Sequence, residues 1–338
     1  MKKILLGLIS VCTIIFSCKK EHKVQPGEGQ QVTHKVGFQI SFSQQTAQFQ
    51  TNSLKEVNSV KNNALATSSL IDSVDVIYYA VYDSVGNNIH IIKQNSSDAG
   101  FGSYNDNLHA GKYTIVVAAG KTGMILGPTT YGMGVSKLST DIITYGYSYN
   151  SNTGVHTYNP FIEDAFYKKV TLTVTNTDSN NSITLDRITA QVVVKISDQI
   201  PAGVKYIGLI VNAGATDLFL VGTGAPVAGG GAPPVIDTLK PADIGTKNHQ
   251  VSILFLPLSS TVSVQIYAKN SPDNLNIPGP YVVNTVAQKN ISGVTAQANT
   301  QTILTGYLFG GNGISNPGGF NSTIDTAWNI TPITKTFP

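Results

Sequence analysis

The sharpest chemical signal in the chain is a cysteine. Ile15-Phe16-Ser17-Cys18 places a thiol directly after a small residue, with an aliphatic residue three positions before it, and this resembles a lipobox. A thiol at a newly cut N-terminus can accept a diacylglycerol, so Cys18 is the predicted lipidation site. The residues before it form an export signal. Lys2 and Lys3 make a positive start, and Ile4 to Phe16 carry no charge. That apolar run falls short of the roughly 20 residues a membrane-spanning helix needs, so it reads as a cleaved signal. Lys19, Lys20 and Glu21 then switch the chain to polar. Several acyl chains contribute about 0.8 kcal/mol per buried methylene, enough for stable anchoring. With Lys19 after the cysteine, known sorting patterns favour the outer membrane, and the cell surface is the expected address.

Other side chains that could do chemistry are poorly arranged for it. The chain has only Cys12 and Cys18. Cys12 leaves with the signal, so no internal disulfide, thiol nucleophile or cysteine-rich zinc site is expected. His22, His34, His90, His109, His156 and His249 form no HxH, HxxxH or HExxH pattern, so no metal is predicted. No GxSxG elbow occurs. Asp72, Asp75, Asp83, Glu163 and Asp164 sit at predicted turns or strand edges, where an Asp commonly bonds its own backbone. Gly222 to Pro234 is a Gly/Pro/Ala loop without the GK[ST] ending of a phosphate cradle. No catalytic residue and no cofactor are predicted.

Aromatic residues offer a contact surface instead. Tyr145, Tyr147, Tyr149 and Tyr158 crowd a polar excursion at 145–160 and could contact a glycan or a protein partner. The same spacing also fits a strand with one packed face. Trp328, the single tryptophan, fits a sugar-stacking platform or a core residue of the last strand.

Composition bounds what must position these residues. Charged residues are 12% of 338, and the formal charge is +3, near +1 once Lys2 and Lys3 are removed. No Lys/Arg cluster offers a phosphate footprint, so nucleic acid is excluded as a partner. Plentiful Ser, Thr, Asn, Gly and Tyr suit strands and polar loops. Residues 18–34 read as the lipidated cysteine and a flexible tether. Val36, Phe38, Ile40 and Phe42 alternate with polar residues, as does Val170–Leu172–Val174. VDVIYYAVYDSVGNNIHIIK reads as a hairpin around Asp83–Asn88, and Gly111 to Ala119 as a further strand. Asn176 to Ser182 is a polar seam. Beyond it, strands are predicted at 183–196, 205–212, 251–256, 261–268, 281–286, 294–298, 302–309 and 320–330. Short, regularly spaced strands indicate β-sandwiches. The predicted organisation is a signal peptide at 1–17, a tether at 18–34, and β-sandwich domains at 35–178 and 179–338.

Three segments resemble the fimbrillin-like proteins of Bacteroidetes, which are fimbrial subunits and their anchoring lipoproteins. They are YYAVYDSVGNNI with LHAGKYTIVVAAG, then ITLDRITAQVVVKISDQIPAGVKYIGLIV, then VTAQANTQTILTGYLFG with FNSTIDTAWNI. The resemblance implies an all-β chain of two tandem transthyretin-like, Greek-key β-sandwiches. It implies partnership with fimbrial subunits by donor-strand exchange, a form of β-augmentation that satisfies an open sheet edge. It also implies maturation of stalk subunits by cleavage after an arginine near the first strand. This chain departs there: its only arginine is Arg187, inside a predicted strand. Arg187 reads instead as an interface or edge-strand ion pair. A lipid-bearing anchor that keeps its first strand fits the departure. The other reading of the same features is a glycan-binding lipoprotein of a polysaccharide-uptake system.

Overall fold

The computed structural model describes residues 32–42, 74–121, 123–128, 135–144, 147–150, 155–158, 164–212, 218–227, 234–272, 285–310, 320–325 and 333–335. Among them only Pro241–Asp243 is helical, as a short 3-10 turn. The rest is strand and connection, as the composition requires.

One sheet has seven strands. Its order is β3 (Asn88–Asn95), β2 (Val76–Tyr82), β5 (Gly111–Gly120), β10 (Ala165–Val174), β11 (Ser179–Arg187), β1 (Thr33–Phe42) and β4 (Ser103–His109). The period-two alternation of β1 buries Val36, Phe38 and Ile40 and leaves Lys35, Gln39 and Ser41 exposed. β1 begins at Thr33, two residues inside the stretch read as tether, because Thr33 and His34 pair with His109 and Leu108 of β4. The predicted hairpin is β2–β3. Asp83 closes its turn by accepting bonds from the amides of Val85 at 3.0 Å and Asn87 at 2.8 Å, and Gly86 supplies the positive φ of 86°. The Asn87 side chain adds a third bond and holds the Asp83 carboxyl below its usual range.

β2 is buried on both faces, and two apolar clusters explain why. Phe38, Ile77, Tyr79, Val81, Ile115, Phe166 and Leu185 pack inside the curled sheet. Tyr78, Tyr82, Val116, Tyr167, Phe219 and Val221 pack on its other face. That second face is covered by a four-stranded sheet of order β15 (Ala225–Pro226), β14 (Leu218–Leu220), β7 (Asp141–Thr144) and β6 (Ile125–Pro128). The sequence at 218–226 therefore returns to the first sheet instead of forming a plain loop. Tyr167 donates to the Val221 carbonyl at 2.6 Å, and Lys169 bonds the Gly222 carbonyl. Gly222 is required there, since a Cβ would stand 2.6 Å from the Leu138 carbonyl oxygen.

The remaining strands form two facing sheets. One has the order β17 (His249–Phe255), β12 (Ala190–Ile196), β20 (Gln301–Gly306), β21 (Asn321–Asp325) and β22 (Ile333–Lys335). The other has the order β16 (Val235–Thr238), β13 (Tyr206–Asn212), β18 (Thr261–Lys269) and β19 (Thr285–Thr295). Val192, Val194, Leu209, Ile253, Val264, Ile266 and Leu304 fill the space between them.

Two expectations change in detail. The strand predicted over 183–196 is two strands: β11 pairs with β10 and β1 in the first sheet, and β12 begins the second sandwich after Ile188 and Thr189. The strand placed at 294–298 is the end of β19, which also takes in 285–293. A register shift opposite Val262 and Val264, with Gly293 at φ 68°, lets one strand carry both segments. Of the strand expected over 320–330, residues 321–325 are β21, and 326–330 lie outside the described residues. The long loop expected at 44–70 lies outside the described residues.

Candidate functional site

The sequence-predicted contact residues divide by position. Cys18, Tyr145 and Trp328 lie outside the described residues. Tyr147 and Tyr149 belong to β8 (Tyr147–Asn150), and Tyr158 to β9 (Val155–Tyr158). These two strands pair only with each other among the described residues, with Tyr147 opposite Tyr158 and Tyr149 opposite His156. The register brings three of the four predicted tyrosines to one ribbon and adds His156.

Arg187, the chain's only arginine, forms an ion pair, as the sequence reading expected. It is 4% exposed. Its Nε donates to Asp164 Oδ1 at 2.9 Å, and a second guanidinium nitrogen donates to Asp164 Oδ2 at 2.9 Å. Thr189 donates to the same carboxylate at 3.0 Å. Asp164 is therefore not a turn residue bonding only its own backbone; it is 8% exposed and faces the guanidinium. Burial pushes its carboxyl up, while Arg187 and Thr189 pull it back. The cluster stands where β11 hands over to β12, the passage from the first sheet to the second sandwich. Arg187 also lies 5.4 Å from the Phe166 ring centroid. Buried this way, the only arginine is a poor protease target.

Backbone edges are the remaining chemical feature. β1 is not an edge. It pairs in parallel with β11 from Val36 to Phe42, and antiparallel with β4 from Thr33 to Gln39. Each of its three buried apolar side chains contributes about 1.5–3 kcal/mol of burial. The two edges of the seven-stranded sheet, β3 and β4, are joined by side chains. Gln94 donates to the Ser103 carbonyl at 2.9 Å and accepts from the Gly102 amide at 3.2 Å. His90 Nε2 lies 2.9 Å from Asp106 Oδ2. The Tyr79 and Tyr104 rings pack beside this pair at 4.5 Å. Burial, with Asp106 nearby, pushes the Tyr104 phenol up to about 12. A matching contact joins the second sandwich, where His249 Nε2 and Asp237 Oδ2 are 2.7 Å apart across β17 and β16. Histidine–aspartate contacts across strand edges were not foreseen, because the partners are 16 and 12 residues apart on different strands.

On the outer face of β4–β1–β11, Gly37 lies directly between Asn105 and Asn180. The Asn180 amide fills the space above it, and a Cβ there would meet Asn180 Oδ1 at 2.2 Å. Gln39, Ser103, Asn181 and Ser182 complete a shallow cavity of about 230 Å³. Its lining is uncharged. Among the described residues no group of three or more His, Cys, Asp or Glu could hold a metal. Exposed apolar residues on edge strands are Ile89 of β3 and Val286 of β19, 46% and 47% exposed.

This is an all-β protein in which the first strand is already seated inside its sheet and, among the described residues, β19 pairs on one side only. No family model matches the chain, and no curated protein matches it by sequence. Solved structures do. The chain is similar to the fimbrial anchor protein Mfa2 of Porphyromonas gingivalis, with a TM-score of 0.50 and 11% identity over 90% of this chain and 100% of that one. It is similar to a Bacteroides thetaiotaomicron protein provisionally named as polysaccharide binding, with a TM-score of 0.52 and 12% identity over 90% of this chain and 98% of that one. At such identities the likeness defines a fold, and the fold agrees with the fimbrillin-like resemblance read from the sequence.

Proposed function

We propose that the chain is a non-catalytic surface lipoprotein that anchors or helps assemble a fimbria. In this reading Cys18 carries the lipid and holds the protein at the outer membrane. Residues 1–17 are removed, 18–32 form the tether up to β1, and the folded part takes fimbrial subunits by strand addition. Two sandwich domains joined near Arg187 would make up that folded part.

The observation that carries the reading is the seating of β1. A polymerising subunit of the resembled family exposes a groove by cutting away its first strand. Here that strand is held on both sides, its three apolar residues are buried, and the one arginine is locked to Asp164. Such a chain begins an assembly and offers its free edges to the next subunit. Likeness in fold to a fimbrial anchor protein supports the same reading.

The test is capture of the neighbour in the native envelope. A photoreactive residue replaces Ile89 or Val286, each exposed on an edge strand. Cross-links to a fimbrial subunit are expected from at least one position. Cross-links to neither, with the protein present at the surface, would remove the assembly role.

A further inference from the structure

Both halves of the chain repeat one feature of strand direction. In the first sheet, the first strand, β1, pairs in parallel with the last, β11, over seven register pairs from Val36↔Ser179 to Phe42↔Leu185. In the second sandwich, the first strand, β12, pairs in parallel with β20 over six, from Gln191↔Gln301 to Ile196↔Gly306. In each half the entering strand lies beside a strand close to where the chain leaves. We infer that these two parallel ladders are mechanical clamps in series, and that the protein bears tensile load along its length.

The argument is geometric. Tension applied at the two ends of the chain enters β1 at Thr33 and leaves β11 at Arg187. Parallel strands point the same way, so β1 is drawn back from its start while β11 is drawn forward from its end. The pair is sheared along its length, and all the ladder's hydrogen bonds resist together. Pulling from matching ends of the two strands would peel the ladder one bond at a time. The same loading falls on β12 and β20, with entry at Ala190 and exit at Gly306. Beyond Gly306 the described strands are β21 and β22, short strands at the sheet edge that peel before the clamp is reached.

The clamps are joined by a stiff coupling. Between Arg187 and Ala190 lie only Ile188 and Thr189. Arg187 and Thr189 are both tied to Asp164, the Ile188 amide bonds the Ala165 carbonyl at 2.9 Å, and the Asn299 amide bonds the Thr189 carbonyl at 2.7 Å. Load leaving the first clamp passes into the second without a slack linker. β1 is further held by β4 on its other side, so sliding it out disrupts two ladders and withdraws Val36, Phe38 and Ile40 from the core. Resistance to force is set by the unfolding rate, and this arrangement raises that barrier.

The inference gains its physiological setting from the anchor reading, but its test does not depend on it. The full-length chain, in detergent, is stretched by handles at its two ends. A second geometry keeps the N-terminal handle and moves the other to Thr177, in the turn before β11, so that β1 and β11 are pulled from matching ends. End-to-end stretching is expected to give two ruptures, each at severalfold higher force than opening in the second geometry. A third arm assigns the rupture of the β1–β11 clamp. Gln39 and Ser182 are register partners on the exposed face, so the Q39C/S182C pair falls within disulfide reach, given strands about 4.8 Å apart. Oxidation is expected to abolish the β1–β11 rupture and leave the other, and reduction to restore it. Equal forces in the two geometries, or two unchanged ruptures after oxidation, would overturn the inference. Absence of fimbrial cross-links would overturn the anchor reading and leave these forces untouched.

Discussion

Replacing Arg187 by Met leaves the Asp164 carboxylate in a site that is 8% exposed, with its guanidinium partner gone. The pair is bound through both carboxylate oxygens, with contacts of 2.9, 3.1 and 2.9 Å. Thr189 remains as a side-chain donor to Asp164. Removing one member of a buried pair costs about 3–5 kcal/mol, because the other charge stays desolvated. Against a total stability of about 5–15 kcal/mol that is a large fraction. With a urea slope of about 2 kcal/mol/M, the midpoint falls by about 2 M. Urea denaturation followed by tyrosine fluorescence measures it, with R187M, D164L and the double variant compared. The double variant is expected to recover much of the loss, because no uncompensated charge remains. A loss under about 1 kcal/mol for R187M, or a double variant worse than the sum of the singles, would refute the account of this junction.

Three further outcomes follow from packing and position. Gly208→Ala places a Cβ about 2.0 Å from the buried Tyr267 ring, and overpacking of about 1–3 kcal/mol is expected in denaturation, partly relieved by Tyr267→Leu. Phe38→Ala empties a site packed at 4.9 Å on Tyr79, and a loss of about 3–5 kcal/mol is expected, with hydrogen exchange of β1 accelerated before that of β12. Cys18→Ala is expected to abolish incorporation of labelled palmitate and move the protein from the membrane to the soluble fraction; label retained in the variant would place the lipid elsewhere.

What could be read from the sequence follows from how each strand meets the core. β1, β5, β10, β12, β17 and β18 were legible because one or both faces are apolar, which gives alternation or a continuous run. β4 was not legible. Its sequence, SYNDNLH, buries only Asp106 and Leu108, and it is a strand because β1 pairs with it. β14 escaped notice for a related reason. Leu218–Leu220 is short and sits amid Gly and Ala, and its place opposite β7 is set by contacts some 75 residues apart. The β11–β12 division was hidden because Ile183 and Leu185 run on into Ile188, Ala190 and Val192 with no Gly or Pro to mark a break. Of the site, Arg187 stood out as the chain's only arginine, while Asp164, 23 residues earlier, looked like a turn residue. Tyr147 and Tyr149 show their common face by spacing alone, but the addition of Tyr158 and His156 needs the register of the ribbon. Alanine at Tyr147 and Tyr149 should leave fimbrial assembly intact; a carbohydrate affinity that falls in those variants would give the ribbon a separate role.

Assembly by strand addition is the central claim, and native envelopes analysed in SDS with and without boiling test it most directly. Strand-complemented assemblies unfold slowly, so they outlast unheated detergent. The account predicts a high-mass band or ladder containing this chain and a fimbrial subunit, collapsing to monomer on boiling. Monomer under both conditions, from cells that display the protein, would contradict it.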